Sequence, residues 1–142
     1  MAALKLKEYQ RESLDVIGQF CDAVRGALNA KAMRPVHDAY YSVTGRDFIE
    51  VPQLPNVPYV CLRVPTGGGK TLIAAHAVGV IAKRLGHQDR PLCFWVTPST
   101  TIRDQTLRGL QDREHPYYAG LRDGLGVPVE VMTVEEALSA SR

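Results

Sequence analysis

The sequence predicts an α/β fold: a three-layer α/β/α domain built on a parallel sheet. Three observations predict it. Short apolar runs bounded by proline and glycine alternate with stretches of helical periodicity. The two kinds of segment follow one another at the spacing of parallel βαβ units. A run of three glycines joins the first apolar run to the helix after it.

The elements follow in order. Leu14, Ile17, Cys21, Val24 and Leu28 recur at steps of three and four, which places them on one face of a helix over Glu8 to Ala30. From Lys31 to Pro58 the periodicity vanishes. Pro35, Pro52, Pro55 and Pro58 and the Thr44-Gly45 turn signal mark an irregular insertion with a short helix around Val36 to Tyr41. Its aromatics Tyr40, Tyr41 and Phe48 could stack on a base, although packing against the domain is the simpler expectation. Tyr59 to Val64 reads as a buried strand. Lys70 to Leu85 reads as a helix with Ile73, Ala77, Val80, Ile81 and Leu85 on one side, Lys83 and Arg84 in the last turn and Gly86 as its stop. Leu92 to Thr97 is a second strand, and Pro98 to Thr101 opens a helix carrying Ile102, Leu107 and Leu110. A weaker third cycle has a helix within Tyr117 to Leu125, a strand over Val127 to Met132 and a helix start at Thr133. The expected organisation is one domain in three parts: a first helix in residues 1–30, the insertion in 31–58 and the βαβ core in 59–142.

Composition narrows the class. With 142 residues, 45% hydrophobic and a formal charge of +2, the chain has too much apolar content and too little charge for intrinsic disorder. The longest apolar stretch, Leu72 to Ala82, is interrupted by His76 and is shorter than the roughly 18 residues of a membrane span. Met1 to Glu12 has no apolar core of signal-peptide length, so a cytoplasmic address is expected. Cys21, Cys61 and Cys93 lie within apolar patterns, match no zinc spacing and are expected as buried, reduced thiols.

Chemistry concentrates in Pro65-Thr66-Gly67-Gly68-Gly69-Lys70-Thr71. Backbone amides can close around phosphates only where side chains neither block the approach nor forbid the dihedrals, and glycine satisfies both conditions. A helix starting at Lys70 would aim its free amides and positive dipole end at the same phosphates. Lys70 supplies a mobile cation and Thr71 a hydroxyl for a magnesium ion. The stretch matches the ending of the Walker A pattern, with Val64 where that pattern has its first glycine. A merely tight turn is the bland alternative.

On three stretches the chain resembles the superfamily 2 DEAD/DEAH-box helicases and translocases, and among them the Res subunit of type III restriction enzymes. Leu6-Lys7-Glu8-Tyr9-Gln10 is similar to the Q-motif, Pro65 to Thr71 to motif I, and Val96 to Gln105 to motif Ia. The resemblance implies a RecA-like P-loop NTPase motor domain that binds ATP with Mg2+ and acts on DNA in restriction or repair. It gives Gln10 the adenine edge, Thr66, Gly67, Gly68, Gly69 and Lys70 the phosphates, and Lys70 the catalytic cation. Thr71 takes the metal, and Thr97, Pro98, Ser99 and Thr100 the nucleic-acid backbone, with hydroxyl and amide donors that hold phosphates without reading sequence. Ordinary helix capping, with Thr101 and Asp104 as a capping box, is the competing reading of that last stretch. Sixty positions separate Gln10 from Lys70, so the insertion must loop out and return for the two to meet.

Hydrolysis also needs acids that hold magnesium and polarise water. The one candidate pair, Glu135 and Glu136, follows Thr133 and reads better as a capping box. The expectation is therefore the N-terminal portion of a first motor domain, apparently incomplete, whose partners are DNA and the remainder of the motor. Such a portion would leave strands without neighbours and would be marginally stable or aggregate alone. The alternatives are a non-catalytic or truncated nucleotide-binding module and, less favoured, a P-loop small-molecule kinase.

Overall fold

A computed structural model describes residues 5–85 and 91–140. Six helices account for its regular structure: α1 (Glu8–Asn29), α2 (Pro35–Thr44), α3 (Lys70–Leu85), α4 (Thr100–Gln111), α5 (Pro116–Leu125) and α6 (Val134–Ala140). Among the described residues there is no strand, so the expected three-layer sheet is absent and the architecture is all-helical. The RecA-like P-loop NTPase fold implied by the resemblance is corrected with it.

The physical reason lies in where each element finds its hydrogen bonds. A helix closes its own ladder within one segment, whereas a strand exists only through a neighbour. Residues 59–64, 92–97 and 127–132, expected as strands, have no ladder partner among the described residues. The burial expected of the first run fails as well: Tyr59, Val60, Cys61 and Leu62 are exposed and Val64 packs inward, while in the other two Trp95, Val129 and Val131 pack inward and Leu92, Phe94, Val96 and Val127 are exposed. One carbonyl of the last segment is taken by a side chain, with Gln111 Nε2 donating to Val131 O at 3.0 Å.

The helices form where periodicity predicts them. α3 is the centre of the molecule, packed against α1 on one side and α5 on another. Its composition explains this, because Leu72, Ile73, Ala75, Ala77, Gly79 and Ala82 are all buried and a helix apolar on more than one face must be covered on more than one face. Toward α1, Ile73 and Ala77 join Leu14, Ile17 and Cys21. Toward α4 and α5, Ala75 joins Leu110 and Leu121, with Trp95 and Tyr117 at the margin. The α3–α5 crossing is close because Gly79 meets Gly124: a Cβ on Gly79 would lie 2.3 Å from Gly124 Cα. A third cluster joins α1 to the insertion through Phe20, Val24, Val36, Ala39 and Phe48. Within it Phe20, Tyr40, Phe48 and Tyr59 form a chain of tilted and edge-on ring contacts, so Tyr40 and Phe48 serve packing, while Tyr41 is exposed.

The helix ends are chemically specified. Pro35 and Pro116 occupy first turns, and Gly45 and Gly126, at φ of 67° and 74°, close α2 and α5 in the left-handed region that glycine tolerates. The Asp22 carboxylate pairs with the Arg84 guanidinium across α1 and α3, and that side chain lies over Gly18. Three expectations change. Leu28 and Ile81 are exposed although their periodicity placed them on core faces. Cys21 is buried, with its thiol pushed up by burial and by Asp22 against the opposing Arg84, but Cys61 and Cys93 are exposed. The cap of α4 is Ser99, whose Oγ accepts from Ile102 N at 3.3 Å, instead of a Thr101–Asp104 box. Gly86, the expected stop of α3, lies outside the described residues.

Candidate functional site

The glycine loop enters α3 at Lys70, as its sequence suggests. Pro65 O accepts from Gly68 N at 3.0 Å, closing a tight turn over Pro65–Gly68. Gly67 and Gly69 have φ of 76° and 77°, values that side-chain-bearing residues rarely adopt. Gly68 is glycine for a different reason: a Cβ there would lie 2.6 Å from Val64 Cγ1 and 2.9 Å from Pro65 O. Val64, where the Walker A pattern places glycine, therefore packs over the loop from the α1–α3 core. Lys70 Nζ donates to Pro65 O at 2.9 Å, which folds the ammonium back over the turn. Thr71 is half-buried in the first turn of α3, and Thr66 and Gly67 are exposed.

The start of α1 sits against this loop. Gln10 is 5% exposed and fully engaged: Oε1 accepts from Lys7 N at 2.9 Å and Nε2 donates to Gly68 O at 3.1 Å. The first of these bonds satisfies a helix-entry donor, and the second crosses 58 positions of sequence to the loop. Tyr9 OH donates to the same Gly68 carbonyl at 2.8 Å. The insertion therefore does loop out and return, bringing Gln10 to the glycine loop. Gly69 is also required here, because a Cβ on it would lie 2.6 Å from Gln10 Nε2. Nothing in the sequence marks Tyr9 for this contact, because a tyrosine beside a helix start carries no signal of a partner so distant.

The motif Ia-like stretch forms a separate feature at the start of α4. Thr97 Oγ1 donates to Ser99 O at 3.2 Å, Ser99 caps the helix, and Pro98, Ser99, Thr100 and Thr101 are exposed. No hydrogen bond joins it to the glycine loop among the described residues. Glu136 is engaged at the start of α6: its Oε2 accepts from Thr133 N at 2.6 Å and its own N–H donates to Thr133 Oγ1 at 3.2 Å, a complete capping box. Among the described residues no group of three or more His, Cys, Asp or Glu is placed to hold a metal ion, and no helix is long and apolar enough to cross a membrane. Two hollows, of about 60 and 110 Å³, lie around Phe48, and neither is lined by glycine-loop residues.

Comparison with known protein families, curated proteins and solved structures found no match.

Proposed function

We propose that the chain binds the polyphosphate of ATP at Thr66–Thr71 and serves as the nucleotide-binding portion of a cytoplasmic ATP-dependent DNA helicase or translocase. The observation that carries the reading is the loop itself: two left-handed glycines around a third that admits no side chain, leading into a 16-residue helix whose first residue is Lys70. The first four amides of a helix lack partners within it, and together with the dipole they favour an anion. Lys70 would exchange the Pro65 carbonyl for a phosphate oxygen. The Thr71 hydroxyl is a suitable single ligand for Mg2+ bound to the nucleotide, whose phosphate oxygens supply others. The ion would neutralise charge on those phosphates. The Ser99 cap, the half-buried Thr97 and the exposed Thr100 and Thr101 would touch a DNA backbone without reading sequence.

A second reading, a nucleotide-binding module without catalysis, is favoured by one specific observation. The Glu136 carboxylate is spent on the α6 cap, and no residue of that helix is buried.

Calorimetric titration of Mg-ATP into the full chain tests both. Binding that weakens about tenfold or more in Lys70→Ala, the loss of a charge-assisted contact, supports the nucleotide site. Equal affinity in a folded Lys70→Ala variant overturns it. DNA-stimulated turnover favours the motor, and binding without turnover favours the module.

A further inference from the structure

We infer that Tyr9 is a positioning residue of the nucleotide site. Together with Gln10 it forms a two-donor latch that fixes the Gly68–Gly69 peptide and so aims the Gly69 amide at the bound phosphate. The inference rests on the phosphate reading above and adds to it the group that sets the loop's geometry.

A carbonyl oxygen has two lone-pair directions, and on Gly68 they are met by Tyr9 OH at 2.8 Å and Gln10 Nε2 at 3.1 Å. Both donors come from the first turn of α1, so the carbonyl is held toward that helix. The peptide plane is rigid and no cis bond occurs among the described residues, so the Gly69 N–H points the opposite way, out of the face turned from α1. Among the described residues that N–H donates to no other group of the chain. Two donors on the carbonyl also polarise the peptide and strengthen its N–H as a donor.

The latch changes what Gln10 can do. Its amide is buried and held at both ends, by the Lys7 N–H and the Gly68 carbonyl, so it acts through the loop and not on the adenine edge. Tyr9 is the cleaner probe because its ring is partly exposed and only its hydroxyl enters the latch.

The test compares the full chain with Tyr9→Phe, titrating each with Mg-ATP, Mg-GTP and Mg-tripolyphosphate and recording the Gly69 amide resonance in ¹⁵N-labelled protein. Tyr9→Phe should weaken all three by one common factor of about two- to tenfold, the worth of one hydrogen bond. It should also leave the ATP-to-GTP ratio unchanged and shift the Gly69 amide even without ligand. A purely structural role for the hydroxyl would lower the melting temperature without moving affinity at temperatures where both proteins are folded. Unchanged affinity for tripolyphosphate, a loss confined to ATP, or an unmoved Gly69 amide would each overturn the latch. Wild-type protein that takes up none of the three ligands would overturn the phosphate reading itself, a result seen before any variant is compared.

Discussion

Residues 65–85 and residues 91–97 each carry an apolar stretch of the sequence, yet the structure treats them in opposite ways. The first region is fixed: the loop is tied to α1 through Gly68, and α3 buries Ile73 to 2% exposure between α1 and its neighbours. In the second, Leu92, Phe94 and Val96 stand 81%, 73% and 89% exposed, and only Trp95 reaches the core. Apolar content therefore does not decide burial here. What decides it is whether a segment can satisfy its backbone internally while its side chains reach a partner.

Substitutions can break this contrast. Ile73→Ala should produce the largest loss, about 2–5 kcal/mol of unfolding free energy in urea denaturation, because it opens a cavity among Leu14, Ile17 and Cys21. Phe94→Ala, which deletes a larger side chain, should stay within about 0.5 kcal/mol of wild type. A comparable loss in both would erase the distinction between the regions. Gly79→Val should come next, at about 1–3 kcal/mol, since its side chain must enter the backbone of Gly124 and force α3 from α5. Restored stability in a shorter variant, Gly79→Ala, would show that the two helices separate more readily than their contact suggests.

A smaller effect should appear with pH. The His76 ring lies against Gly120, and burial holds its pKa below the ordinary 6.5 despite the opposing Asp123. The folded state therefore binds this proton less readily than the unfolded chain. The contribution is complete above about pH 6.5 and is lost as pH falls toward the depressed folded value. Melting temperature should drop on acidification through that window, and His76→Gln should flatten the slope. A slope unchanged in His76→Gln would assign the effect to other groups.

Much of the helical architecture was legible in the sequence. The three-and-four spacing of Leu14, Ile17, Cys21 and Val24 marks α1, and α3 spans Lys70–Leu85 as its pattern indicates. Such spacing reports on a ladder that the segment itself contains. The expectation of strands failed because an apolar run such as Leu92 to Thr97 says nothing about a neighbour to share hydrogen bonds. Leu28 misled for a related reason: periodicity identifies a face but not how far along the helix the partner extends. At the glycine loop, the need for glycine at positions 67 and 69 was readable because a tight turn before a helix demands backbone angles that glycine tolerates. The Tyr9 contact was not, since a hydroxyl meeting a backbone carbonyl across 59 positions leaves no periodic trace.

The proposal that phosphate binds at the glycine loop, held by α1, is the one on which the rest depends. Its most direct test is a titration of ¹⁵N-labelled full chain with Mg-tripolyphosphate, following every backbone amide. Saturable shifts concentrated at Gly67, Gly68, Gly69, Lys70 and Thr71, and carried to Tyr9 and Gln10, are the predicted result. Shifts centred on Thr97–Thr101, or none at the loop up to millimolar ligand, would contradict it.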